Sequence, residues 1–156
     1  MPQLSRRDDA LITTFGRLLE AQHRLERRLG ADLEARCNLP HAWFEVLVRL
    51  GRSEAGRLTM GSLAQEVSLT TGGVTRLIDR MATAGYVERV PCPTDRRVSF
   101  ASLTDRGRAK LDEAAQVHAV NLRSVFAGFS DADRSTLDAL LDRLRAVAEP
   151  PPATGP

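Results

Sequence analysis

Residues 69–81, which read LTTGGVTRLIDRM, determine how this chain folds. Their apolar side chains recur at intervals of three and four residues, a spacing typical of one face of an amphipathic helix. This apolar stripe comprises Val74, Leu77, Ile78 and Met81. Thr70 or Thr71 can cap the start of the helix, and Gly85 can close it. The opposite face is small and polar at first and cationic further on, so the helix can enter a groove in a charged partner.

Short elements on both sides of this helix predict a winged helix-turn-helix. A short helix over 59–68 precedes it across a turn, which makes a helix-turn-helix. After it, segments 86–90 and 98–103 alternate between apolar and polar residues and flank a proline-rich turn, which predicts a β-hairpin, the wing. Arg96 and Arg97 are expected near the tip of that hairpin.

Helices are also predicted toward both ends of the chain. The first runs from Asp8 to about Glu34. Its apolar seam is longer than a compact monomer needs, so the helix is expected to pack against a partner. Further helices are predicted from about Pro40 to Leu50 with Gly51 as cap, from Thr104 to about Gly128, and from Ser130 to the prolines at 150–152. The predicted fold is mainly α with a small β-hairpin wing.

With 156 residues, the chain falls in the size range of one domain. Within this single domain, 1–156, residues 40–103 are predicted to form the winged helix-turn-helix region. Segments 8–36 and 104–148 are the predicted N- and C-terminal dimerisation helices that flank it, and 149–156 is a predicted disordered tail.

Composition limits the class of protein. Hydrophobic residues make up 42% and charged residues 27% of the chain, which is ordinary globular composition and rules out a wholly disordered chain. We expect no membrane span, because no apolar run approaches the ~20 residues that one needs. We expect no secretory leader either, and therefore a cytoplasmic location. Cys37 and Cys92 could form one bridge at most, and a cytoplasmic setting would keep them reduced.

Charge is unevenly placed along the chain. The formal net charge is only +2, but the window 76–110 holds eight basic residues against four acidic ones. Lys110 is the only lysine, so arginine supplies nearly all of the positive charge. The guanidinium fork suits phosphates and guanine edges, and the clustering therefore favours a nucleic-acid partner.

This order of elements resembles that of the MarR family of bacterial transcriptional regulators. The resemblance spans about 8–147 and is most specific in the blocks 69–81, 84–89 and 95–107, which occur in register. It implies a homodimer that binds a palindromic operator in double-stranded DNA, most often as a repressor. Members of this family usually respond to small anionic phenolic ligands, oxidants or metals, and the resemblance implies that a small anionic aromatic effector releases this protein from DNA. No cofactor is expected.

The predicted DNA contacts lie on the recognition helix and the wing. Arg76 is the predicted base reader in the major groove, Arg80 is expected to hold the phosphate backbone, and Arg97 is expected in the minor groove. The resemblance further implies that Asp95 braces the wing by orienting Arg97. The full predicted set is Thr70, Thr71, Gly73, Thr75, Arg76, Arg80, Arg96 and Arg97.

The terminal helices are predicted to form the subunit interface. Its expected residues are Leu11, Phe15, Leu18, Phe126, Phe129, Leu137, Leu141 and Leu144. The alternative is an intramolecular bundle that buries the same side chains within one chain. The length of the terminal helices favours the dimer.

An effector site is the least specific prediction. The resemblance places a ligand crevice near Trp43, and the candidate residues are Arg17, His41, Trp43 and Arg49. The alternative, that Trp43 belongs to the core, is favoured by its residue type. The identity of the effector, the operator sequence and the target genes are left open.

Metal binding and redox sensing are not favoured. His23, His41 and His118 lack the spacing of a metal site with Cys37, so no metal is expected. Cys37 lies at the end of the first helix, and Cys92 in the wing is expected to be a spectator thiol.

Three classes of function remain. No nucleophile, paired carboxylates or phosphate-binding glycine loop has the context that catalysis needs, so no catalytic residue is assigned and an enzyme is not expected. An architectural DNA-binding protein without sequence specificity is the main alternative to a regulator, and it would bind scrambled duplexes equally well. A pure protein-interaction module ranks third, because it leaves the arginine clustering unexplained.

Overall fold

The computed structural model describes residues 5–67, 71–95 and 97–148. Its elements are α1 (Arg6–Cys37), α2 (His41–Arg52), β1 (Arg57–Thr59), α3 (Met60–Glu66), α4 (Thr71–Thr83), β2 (Val87–Pro91), β3 (Ser99–Leu103), α5 (Asp105–Val125) and α6 (Asp131–Ala148). The described chain is mainly helical with one small antiparallel sheet, as predicted. None of the helices within the described residues is long and apolar enough to cross a membrane.

The long first helix has clear start and stop signals. The Ser5 hydroxyl caps its start by accepting a hydrogen bond from the Asp8 backbone N–H at 3.2 Å. Asn38 ends it in the left-handed conformation, with φ 47°. The helix therefore extends two residues before and three residues beyond the predicted 8–34, since these capping contacts depend on local geometry.

The core lies where α1, α2, α3 and α4 meet the sheet. Leu33, Leu47, Leu63, Ile78 and Met81 are all fully buried there. Burial of such side chains is the main stabilising term of folding, so this cluster fixes the position of α4. The predicted apolar stripe of α4 is confirmed, since three of its four residues are fully buried and Leu77 packs against the same cluster.

The sheet has the strand order β1-β3-β2, so the predicted hairpin carries an additional strand. β1 pairs with β3 in the register Arg57 to Ser102 and Thr59 to Phe100. The sequence did not predict β1, and the short helix predicted over 59–68 begins one residue later, at Met60. The Thr59 side chain instead caps α3 by accepting from the Ser62 N–H at 3.0 Å.

Gly51 does not cap α2, contrary to the sequence prediction. The helix continues to Arg52 and is capped by Ser53. A Cβ at Gly51 would lie 2.5 Å from the Leu111 side chain. The glycine therefore allows α2 to pack closely against α5 rather than ending the helix.

The chain divides into two compact units, one through Ala119 and one from Val120 onward. In the second unit, the Phe126 and Phe129 rings meet edge to face at 5.5 Å, and Ser130 and Asp133 cap the start of α6 reciprocally. The apolar stripe of α6 is exposed in the single chain. Its residues are 37–79% exposed, and they are Leu137, Leu140, Leu141, Leu144 and Val147. The predicted tail, 149–156, lies outside the described residues.

Candidate nucleic-acid interface

The recognition helix, α4, presents small residues at its start. Gly72 is exposed, and a Cβ added there would meet nothing within 4 Å. Gly73 follows and is half-buried. The absence of side chains lets another backbone approach this end closely. Of the predicted contacts, Thr70 and the side chain of Thr71 lie outside the described part of the chain.

Arg76 occupies the middle of the outward face of α4. It is exposed, and its Nε lies 3.4 Å from the Gly72 carbonyl oxygen one turn earlier. Thr75 beside it is half-buried. The Arg76 side chain lies along its own helix, where it can extend toward a partner.

Arg80 lies over the Trp43 ring of α2, with its guanidinium carbon 5.8 Å from the ring centroid. Trp43 also meets Tyr86 edge to face at 6.0 Å, and Arg106 lies 5.3 Å above the Tyr86 ring. Cations above aromatic faces are attracted by the ring quadrupole. These four residues form an aromatic-cationic cluster between α2, α4 and the start of β2 and α5.

Arg89 of β2 contacts another side of α4. Its Nη2 lies 2.9 Å from Asp79 Oδ1 and donates to the Thr75 carbonyl oxygen at 3.4 Å. The sequence identified Arg89 only as part of the local positive charge. The alternation of β2 predicted a strand but carried no signal for this partner, because the contact depends on how β2 packs against α4.

The wing projects Arg97 into solvent. The Arg97 side chain is 92% exposed, and Asp95 Oδ1 accepts hydrogen bonds from its backbone N–H at 2.9 Å and from its Nε at 3.3 Å. The hairpin turn is closed by a hydrogen bond from the Val98 N–H to the Asp95 carbonyl at 3.0 Å. Arg96 lies outside the described residues. Asp95 thus contacts both the backbone and the side chain of a highly exposed arginine in the wing.

Cys92 lies beside this turn. Hydrogen bonding with the Thr94 hydroxyl, 3.3 Å from the sulfur, lowers the pKa of the Cys92 thiol. Cys37 lies in the core, and burial raises the pKa of its thiol. The two thiols therefore have opposite environments.

The four predicted effector residues are not brought together. His41 Nδ1 lies 4.0 Å from Glu26 and lines a groove with His23 and Glu34, whereas Arg49 lines a separate groove and lies 3.9 Å from Glu66. Trp43 packs against the core and Tyr86, and Arg17 is exposed on α1. Because carboxylates line both grooves, neither favours an anionic ligand.

The sequence did not favour His23, His41 and His118 as metal ligands. Within the described residues, no group of three or more His, Cys, Asp or Glu side chains is arranged to hold a metal ion. His118 packs against Phe44 with ring centroids 4.8 Å apart, and burial, aided by the charge of His41, lowers the pKa of His118. The His118 ring is therefore packed against its neighbours.

Comparison with known proteins finds similarity to transcriptional regulators. A model of the MarR family matches residues 38–98. The chain is 29% identical to the multiple antibiotic resistance protein MarR of Escherichia coli, over 85% of this chain and 92% of that protein. It is 31% identical to the uncharacterised regulator YkoM of Bacillus subtilis and 29% identical to PecS of Dickeya dadantii. These two matches cover 56% and 65% of this chain and span only 57% and 61% of the relatives.

Two solved structures bound to DNA resemble this fold. Sco3205 of Streptomyces coelicolor, a MarR family transcriptional regulator in complex with DNA, superposes with a TM-score of 0.83 and 27% identity, covering 100% of this chain and 97% of that one. A mutant of E. coli MarR complexed with operator DNA gives a TM-score of 0.70 at 27% identity, covering 85% of this chain and 94% of that one.

Proposed function

We propose that the chain is a transcriptional regulator of the MarR family, which represses transcription as a homodimer bound to a palindromic operator. In this proposal α4 enters the major groove and the wing enters the minor groove. The observation that carries the proposal is the exposure of Arg76 and Arg97 on two separate elements of one winged helix. Members of this family are regulators rather than enzymes, and no catalytic step is assigned.

Arg76 is the proposed base reader. It occupies the outward face of α4, whose inward face is fixed by fully buried residues. A guanidinium can donate two parallel hydrogen bonds to the O6 and N7 atoms of guanine in the major groove. The open space at Gly72 supports close approach of the helix start to a phosphate, where Thr70, Thr71 and Thr75 are the proposed hydroxyl donors.

Arg97 is the proposed minor-groove contact, with Arg96 beside it. A narrow A·T-rich minor groove concentrates negative potential and attracts an arginine inserted into it. The two hydrogen bonds from Arg97 to Asp95 limit the orientations that the arginine can take. We infer that Asp95 lowers the entropy lost when Arg97 enters the groove.

The second copy of this chain is the proposed occupant of the exposed apolar surfaces. Leu29 and Leu33 of α1 are buried, but the same seam continues toward the amino end with Leu11 and Phe15 about 60% exposed. Ile12 and Leu19 are also exposed, although the sequence did not single them out. In the second unit, the proposed interface residues are Phe126, Phe129, Leu137, Leu141 and Leu144. Apolar faces of this extent mark association sites in soluble proteins.

Release by a small anionic aromatic molecule is proposed as the regulatory step. The aromatic-cationic cluster of Trp43, Tyr86, Arg80 and Arg106 supports this ligand class better than the two acidic grooves do. A bound carboxylate would compete with Trp43 for Arg80 of the recognition helix. Titration of the DNA complex with benzoate as a probe tests this step, since the proposal predicts dissociation with benzoate and none with benzyl alcohol.

The test of the proposed function is selection of bound fragments from genomic DNA by the purified protein. A specific regulator retains fragments that share a palindrome and prefers them to scrambled duplexes by ~10³ or more at physiological salt. An architectural protein would retain fragments without a shared sequence, and that result would replace the proposal with the alternative.

A further inference from the structure

We propose that Arg89 is a positioning residue for DNA recognition, which holds the recognition helix against the wing and neutralises the charge of Asp79. The inference rests on the proposed function, because helix position affects binding only if α4 reads DNA. It assigns a role to a residue that neither the charge pattern nor the predicted DNA contacts had singled out.

Two contacts join Arg89 to the same side of α4. Its Nη2 is 2.9 Å from Asp79 Oδ1 and 3.4 Å from the Thr75 carbonyl oxygen. Thr75 and Asp79 lie one helical turn apart, so their attachment points are stacked along the axis. One guanidinium nitrogen makes both contacts, so it ties this side of the helix to β2.

The other side of α4 is held by Arg80 over the Trp43 ring. At about 100° per residue, Arg76 lies between Asp79 and Arg80 around the helix. The outward face therefore presents Arg76 between two side chains that are already engaged with the protein. A rotation of α4 toward either side would displace the proposed base reader from its groove.

Charge gives Arg89 a second effect. Asp79 is the only acidic residue in the sequence of α4, and its side chain is 59% exposed. A bare carboxylate on this face would repel DNA phosphates. The Arg89 side chain is 37% exposed, against 92% for Arg97, and both of its contacts described above are made within the protein.

The experiment compares Arg89→Gln, Asp79→Asn and the double variant with the wild-type chain. Fluorescence anisotropy measures operator affinity across a salt series. We expect Arg89→Gln to weaken binding roughly three- to tenfold, because it releases the helix and leaves Asp79 bare. The double variant should recover most of that loss, because an Asn–Gln pair is uncharged and can still hydrogen-bond. Its slope of log K against log[salt] should equal that of the wild type.

A direct phosphate contact by Arg89 predicts a different pattern. The double variant would then bind as weakly as Arg89→Gln, and its salt slope would be smaller by about 1.8, because the dimer would lose two phosphate contacts. That pattern, or unchanged affinity in Arg89→Gln, would overturn the proposal. Arg24→Gln on α1, where Arg24 pairs with Glu20, controls for the loss of one surface charge.

Amide hydrogen exchange of the DNA-free protein separates this inference from the proposed function. We expect Arg89→Gln to speed exchange several-fold across 75–83 while amides of α1 stay unchanged, because the helix has lost one of its two lateral contacts. Equal exchange in wild type and variant would overturn the positioning role. If the wild-type chain binds no DNA, the proposed function is overturned. The exchange result then tests only whether Arg89 positions α4.

Discussion

Arginines in and around the recognition helix differ in what they touch, and that difference assigns their roles. Arg76 contacts only its own helix in the described structure, through the Gly72 carbonyl oxygen. Arg80 and Arg89 contact neighbouring elements. A guanidinium without a tertiary partner can bind DNA without breaking a contact to another element of the protein. Arg76 is therefore the best placed of the three to read a base.

Replacing Arg76 with alanine should relax sequence preference. If Arg76 reads a guanine, Arg76→Ala removes a bidentate contact and reduces discrimination at one operator position by roughly 1–3 kcal/mol. Binding to operators with each base at each position measures this. A uniform loss across all operator sequences would show that Arg76 contacts a phosphate instead.

Arg97→Ala should weaken operator binding without dissociating the dimer or unfolding the chain, because its side chain is 92% exposed. Loss of one cationic contact in each subunit of the dimer should reduce the salt slope by about 1.8. Circular dichroism and gel filtration control for fold and assembly. Unchanged affinity would remove the wing from the interface.

Gly107→Ala should destabilise the fold. A Cβ at this position would overlap the Tyr86 carbonyl oxygen, where α5 begins close to the residues that follow the recognition helix. Backbone must shift to relieve that overlap, at a cost of roughly 1–3 kcal/mol in unfolding free energy. Gly61→Ala is the matched control, because its Cβ would meet only the Thr59 hydroxyl at 4.0 Å. Urea denaturation measures both, and equal stability of the two variants would contradict the close approach of Gly107 to Tyr86.

For single residues, the sequence predicts side-chain types better than side-chain partners. The outward position of Arg76 follows from helical periodicity alone. The contact of Arg80 with Trp43 and the contact of Arg89 with Asp79 join residues on different elements, and periodicity carries no information about such pairs. The predicted effector set failed to converge for the same reason.

Among the elements, α4 and the wing were predictable because each has a strong local signal. The stripe of α4 repeats over several turns, and the wing strands alternate on both sides of a proline-rich turn. β1 was missed because three residues, Arg57–Thr59, are too few to show alternation. Its pairing is set by β3, which lies about forty residues further along the sequence.

The amino-terminal half of α1 should be essential for assembly. Phe15→Glu places a charge on the exposed apolar seam, and burying that charge between subunits would weaken the dimer by at least ~100-fold. Thr13→Glu is the control, because Thr13 is exposed on the opposite face of the same helix. Sedimentation velocity compares the two variants. Equal dimer dissociation constants for the two variants would show that this seam is not part of the interface.

For the whole molecule, the proposed function requires two-fold symmetry to make one winged helix a specific reader of DNA. A single recognition helix reads only a few base pairs, and in the proposed dimer the second copy would place another about 34 Å away. The apolar surfaces left exposed in both units of the chain are consistent with such pairing. The sequence suggested the pairing through helix length, but it could not show which apolar residues a single chain leaves uncovered.

Paired reading of the two grooves can be measured by footprinting a selected genomic fragment with dimethyl sulfate, which reports the major groove, and with hydroxyl radicals, which report the minor groove. We predict two protected major-groove segments, centred about 10 base pairs apart or a multiple of that spacing and related by two-fold symmetry, with minor-groove protection beside each. Protection without a defined boundary, or one unpaired half-site bound by a monomer, would contradict the proposed dimeric regulator.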